Sequence, residues 1–231
     1  MDHDSNYIEH VVLIHGLART KRSMIPLEKR LSTSGYHVVN MEYPSRTDSI
    51  EILSQIIVPQ AVATCRKKGE GRINFVTHSM GGIILRYYLK HTPVPELGRV
   101  VMLSPPNGGS ELVDLFGNFF FFRWLYGPAG QSLGTGIKCL PNTLGKVDFD
   151  LGVIAGDRTV NPFFSFCIRG KNDGKVSVKR TSVEGMKDFR VMHAAHPFIM
   201  RNRQVIKEVI CFLQTGRFSQ TEKTFPSSRN K

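Results

Sequence analysis

The chain has 231 residues, an apolar fraction of 41 % and a formal charge of +12. The length suits one α/β domain with a buried core. No window nears the ~18 uninterrupted apolar residues of a membrane span, Met1 to Asn6 lacks the apolar stretch of a secretory signal, and no zinc-finger spacing or aromatic-interleaved basic ribbon points to nucleic acid.

The positive charge is spread along the chain, with concentrations at Arg19–Arg22, Arg66–Lys68 and Lys171–Arg180. Such a field favours an anionic surface, and an anionic membrane is the partner it suggests. The cysteines Cys65, Cys139, Cys167 and Cys211 form no C-x-x-C pair. A reducing, cytoplasmic location is therefore expected, with Cys65 and Cys211 as small apolar residues in helical patterns.

Val11–Ile14 is a continuous apolar run, as in a parallel strand covered on both faces. It ends at His15-Gly16-Leu17, and Ser23 is placed to cap a helix carrying Met24, Leu27 and Leu31. A second strand is expected over Tyr36–Met41, then a helix opened by Asp48 or Ser49 that Pro59 should kink or divide. Next come a strand at Ile73–Val76, a tight turn at Ser79, a helix from Met80 to His91, and a strand at Arg99–Leu103. This β-loop-α rhythm predicts a mainly parallel sheet of about six strands with helices on both faces.

The rhythm breaks over residues 110–150, which include the apolar run Phe119–Tyr126. The segment is too long for a simple connection, and it reads as a cap over the carboxyl edge of the sheet, lining an acyl pocket. A strand over Leu151–Ala155, a helix from Val176 to about Gly185, a strand at Phe189–Met192 and a helix from about Arg201 to Gln214 complete one domain, residues 1–216. Residues 217–231 read as a loose tail.

The loops at the carboxyl ends of strands carry groups suited to acyl transfer. A serine in a strand-to-helix turn projects its hydroxyl beside free helix N–H groups. Ser79 is thus a candidate nucleophile. The N–H groups of Met80 and Leu17 are candidate oxyanion donors, each worth roughly 3 kcal/mol to a tetrahedral intermediate. A base and an orienting acid are needed as well. His196 and His193 compete for the first role, and Asp173 and Asp157 for the second. His15 and His78 stand close to the site as loop anchors.

The segments Val12–Leu17, Phe75–Gly82, Leu103–Ser110 and Asn172–Val176, with His196 before an apolar helix, resemble the small esterase/lipase group of the α/β-hydrolases over nearly the whole length. That resemblance implies a single-domain α/β-hydrolase fold with a cap-like insertion, and a serine-dependent carboxylic ester hydrolase with neither cofactor nor metal. It also implies Ser79 as nucleophile, His196 as base, Asp173 as acid, Leu17 and Met80 as oxyanion donors, and a small-molecule ester or lipid as substrate. The pattern departs at Thr77, where relatives usually carry glycine. An acyltransferase or thioesterase using the same triad, or a non-catalytic binding module of hydrolase ancestry, are the alternative readings.

Overall fold

The computed structural model describes residues 7–117, 119–160 and 162–220, and within them not the side chains of Phe121, Phe122, Arg123, Leu125 and Phe164. Six strands, β1 (His10–Ile14), β2 (His37–Asn40), β3 (Ile73–His78), β4 (Leu97–Leu103), β5 (Leu151–Arg158) and β6 (Asp188–Ala195), form one sheet in the order β2-β1-β3-β4-β5-β6. Every neighbouring pair is parallel. Because β2 lies on one side of β1 and β3 on the other, the winding reverses at β1/β3. Loops diverge there and leave a crevice at the carboxyl edge.

Alternate side chains of each strand go to opposite faces. Val12 and Ile14, Ile73 and Phe75, and Val100 and Met102 pack under α2 (Ile50–Lys68) and α3 (Met80–His91). Val11, Leu13, Val76, Val101 and Leu103 pack under α1 (Ile25–Thr33) and the closing helix, Arg203–Thr215. Covering on both faces is why these strands read as unbroken apolar runs.

Several local expectations change. Ser23 does not cap a helix; it lies in a 3-10 turn, Lys21–Met24, and its hydroxyl donates to the Thr20 carbonyl at 2.8 Å. Ser49 is the N-cap of α2, which then runs unbroken through Pro59. Burial of Ile57, Val58, Ala61 and Val62 holds it together despite the lost backbone hydrogen bond. The helix expected over Val176–Gly185 is a single turn, Val178–Thr181. Its carbonyls are taken by another loop: Arg180 O accepts from Gly108 N at 2.8 Å and Thr181 O from Asn107 Nδ2 at 2.8 Å.

The insertion after β4 contains α4 (Glu111–Phe116), α5 (Phe120–Gln131) and α6 (Leu140–Thr143), and β5 is followed by α7 (Pro162–Phe166). The turn Val178–Thr181 is α8 and the closing helix Arg203–Thr215 is α9. Arg86 of α3 ties the base of the insertion to the core. Its guanidinium, 4 % exposed, donates to Gly145 O at 2.6 Å, Asn107 Oδ1 at 3.1 Å and Pro141 O at 3.5 Å. Burial without a carboxylate partner lowers its pKa to about 10.

Asn202 caps α9, accepting from Gln204 N at 2.9 Å, and Gly216 ends it in the left-handed region at φ 76°. The chain beyond is not loose at first. Phe218 is buried, its ring 5.0 Å from that of Phe212, over the space left by Gly152. Residues 221–231, like Met1–Asn6, lie outside the described residues. Among the described residues no helix is long and apolar enough to cross a membrane.

Candidate active site

β3 ends at His78 and α3 begins at Met80, so Ser79 must reverse the chain alone. It does so at φ 53° and ψ −124°, a conformation costly for a residue with a side chain. The turn is pinned by Ser79 N donating to Leu103 O at 2.9 Å and Gly82 N to Ser79 O at 3.0 Å. Two glycines make room. A Cβ on Gly81 would lie 2.6 Å from the Ile14 carbonyl oxygen, and one on Gly82 would lie 3.2 Å from Thr77 Oγ1. The threonine that departs from the family pattern therefore fits because Gly82 has no side chain, although its buried hydroxyl finds no hydrogen-bond partner among the described residues. Gly81→Ala is expected to lower stability by about 1–3 kcal/mol, read as a lower urea midpoint at unchanged slope.

His196 follows β6 and is buried. Its Nε2 lies 3.0 Å from Ser79 Oγ and its Nδ1 2.7 Å from Asp173 Oδ2. Asp173 is 0 % exposed. Its second oxygen accepts from the N–H groups of Lys175 at 3.0 Å and Val176 at 2.9 Å. Burial alone would raise its carboxyl, but the His196 charge and hydrogen bond, the Ser104 hydroxyl and the Val176 N–H outweigh it and hold the group below its ordinary value. Ser104, at φ 46°, also accepts from Gly156 N at 3.2 Å, which fixes the end of β5 behind the acid. Sequence reasoning gave Ser104 no role; only its place at the end of β4 hinted at one.

The rivals are elsewhere. β5 runs further than expected, so Asp157 lies within it rather than in the loop that follows, and His193 lies near the end of β6. They pair with each other, His193 Nδ1 to Asp157 Oδ1 at 3.1 Å, with the His193 side chain 75 % exposed. Neither is brought to Ser79.

The loop after β1 packs on the elbow through Gly16, where a Cβ would lie 3.0 Å from Ser79 Cβ. That close approach sets Leu17 on the wall of the same cavity as Ser79. The loop is held by Ala18 N donating to Ser45 Oγ at 3.0 Å and by Tyr43, whose ring stacks on His15 at 4.1 Å and whose hydroxyl donates to the His15 carbonyl. His78 Nε2 lies 3.0 Å from His196 O. Burial, first, and then the charges of His196, Arg19 and Lys175 push His78 well below the ordinary imidazole range, while burial lowers His15. Both therefore stay neutral, as anchors.

A cavity of about 500 Å³ opens over Ser79 and His196, walled by Leu17, Val113, Phe116, Leu133 and Tyr126. Of the apolar run in the insertion, Tyr126 and Phe119 line this cavity, and Phe119, like Phe120 and Trp124, is largely exposed. The side chains of Phe121, Phe122, Arg123 and Leu125 lie outside the described residues.

An all-parallel sheet whose winding reverses beside a strand–serine–helix elbow, with a buried imidazole and carboxylate in line behind the hydroxyl, defines a doubly wound protein of the nucleophile-elbow class. The sequence profile of the α/β hydrolase fold matches residues 9–133, more than half of the chain, and the protein belongs to that family. No curated protein matches it in sequence. Among solved structures it is similar to the mature form of a Bacillus licheniformis lipase, with a TM-score of 0.74 at 17 % identity over 92 % of this chain and 95 % of that one. It is similar to phospholipase PlaB from Legionella pneumophila, with a TM-score of 0.70 at 19 % identity over 90 % of this chain; it spans 59 % of the PlaB chain. A metagenomic carboxyl esterase gives 0.67 at 18 % identity over 84 % of this chain and 66 % of that one. Identities at this level speak to the shared fold.

Proposed function

We propose that the protein is a serine-dependent carboxylic ester hydrolase acting on substrates with an apolar acyl chain. The observation that carries the reading is the continuous hydrogen-bonded line from Ser79 Oγ through His196 to Asp173, at 3.0 and 2.7 Å, opening into an apolar cavity. In this reading Ser79 Oγ attacks the ester carbonyl carbon while His196 Nε2 takes its proton. Asp173 holds the Nδ1–H and stabilises the imidazolium. The oxyanion of the tetrahedral intermediate receives the N–H groups of Leu17 and Met80. Collapse breaks the bond to the alcohol oxygen, which takes the proton from His196 and departs. Water, deprotonated by His196, then cleaves the acyl-serine and restores the hydroxyl.

The test is Ser79→Ala assayed on a short-chain nitrophenyl ester. A loss on the order of 10⁵-fold in kcat is expected, with the circular dichroism spectrum retained and labelling by a fluorophosphonate probe abolished. Retained turnover would sink the mechanism. A wild-type protein that takes up the probe but gives its acyl group to added alcohol or thiol in preference to water is an acyltransferase instead.

A further inference from the structure

The wall of the cavity beside Ser79 is mostly apolar, yet two cations reach it. Arg19 stands two residues beyond Leu17, and Lys175 two residues beyond Asp173. Both are half-buried, and among the described residues neither forms an ion pair. No aspartate or glutamate lines the cavity among the described residues. Lys175 is held from both sides: its N–H donates to Asp173 Oδ1 at 3.0 Å, and its carbonyl accepts from Ser110 Oγ at 2.8 Å. Its ammonium rests 5.3 Å from the centre of the Tyr126 ring on the cap. That contact orients a cation but does not neutralise it. Two partly dehydrated cations without a counter-ion, on an apolar wall beside a reactive hydroxyl, fit a ligand that brings its own negative charge.

We infer that the cavity takes an acyl ester carrying a phosphate on its alcohol side, bound between Arg19 and Lys175, with the acyl chain along Val113, Phe116 and Leu133. The inference rests on the ester-hydrolase reading and narrows it. The side follows from the mechanism: His196 must reach the departing alcohol oxygen, and Lys175 belongs to the loop that holds Asp173 against His196. Two cations, one of them a guanidinium fork, match a group with more than one charge and several acceptor oxygens better than a single carboxylate does.

The test compares kcat/KM for 1-dodecanoylglycerol 3-phosphate with that for 1-dodecanoylglycerol, both below their micellar concentrations. At low ionic strength the phosphorylated ester should be favoured by about tenfold or more, and 0.5 M salt should shrink that preference. Arg19→Gln and Lys175→Met should each lower the ratio by roughly 3- to 10-fold, while Lys175→Arg should retain it. A ratio near one, or a preference that neither neutral variant moves, overturns the inference and leaves the hydrolase reading standing. If neither ester is cleaved, the hydrolase reading fails, and calorimetry decides the binding site alone. Dodecyl phosphate binding more tightly than dodecanol, and weakened by Arg19→Gln, supports it. Equal binding of the two, or inorganic phosphate binding as tightly as dodecyl phosphate, rejects it.

Discussion

Replacing His196 with alanine is expected to lower kcat/KM for a nitrophenyl ester by on the order of 10⁴- to 10⁶-fold, whereas alanine at His193 should stay within about twofold of wild type. The two histidines are three residues apart, yet their surroundings are opposite. His196 is buried between a hydroxyl at 3.0 Å and a carboxylate at 2.7 Å. His193 lies on the exposed side of β6, and its hydrogen bond to Asp157 at the surface contributes little. The acids follow the same division. Asp173→Asn should cost on the order of 10⁴-fold, because an amide no longer fixes the imidazole tautomer, and Asp157→Asn should cost almost nothing. A dead His193 variant beside an active His196 variant would reverse the assignment.

Acid should destabilise the fold well before its carboxylates protonate. His15 and His78 are 0 % and 1 % exposed, and burial holds both below their ordinary values in the folded state. Above pH ~6.5 folded and unfolded chains carry both imidazoles neutral, so they add nothing to the pH dependence. As the pH falls below that value the unfolded chain takes up protons that the folded chain refuses, and each histidine then removes up to about 1.4 kcal/mol per pH unit. Asp173, whose carboxyl is lowered on folding, acts in the same direction only further down, as the pH drops through its folded value. Urea midpoints measured from pH 7.5 to 5 should be flat at first and then decline. A flat profile throughout would mean that the two rings are protonated in the folded protein.

What the sequence made legible was local. The run Val11–Ile14 shows a covered strand because both faces of β1 are buried, and the glycines after Ser79 mark an elbow because the end of β1 leaves no space for a side chain on Gly81. What it hid depends on partners far along the chain. The predicted helix after Val176 stops at Thr181 because Asn107 and Gly108 take its carbonyls, bonds that no local propensity encodes. The pairing of Arg158 with Ala195 extends β5 and β6 past their apolar cores, and that extension separates Asp157 and His193 from Ser79. The tail looked polar, but Phe218 finds a seat over Gly152 that exists only once the sheet is built. Arg19 and Lys175 read as ordinary members of basic stretches until the fold put them on one cavity wall.

Arg86 sets a limit on how freely the insertion can be exchanged. Its partners Pro141 and Gly145 supply bare carbonyls at the root of the insertion, and the helix that carries it is the one Ser79 opens. Trimming back to that root would strand a guanidinium in the interior, at a cost of several kcal/mol. Among the described residues, none from Glu111 to Gln131 bonds to Arg86. The upper part of the insertion is held by other means: Glu111 accepts from Ser177 Oγ and Arg180 Nε at 3.0 Å each, and Val113, Phe116 and Tyr126 face the cavity. Its lower part is fastened through Arg86 to the helix that Ser79 opens, so the two must travel together.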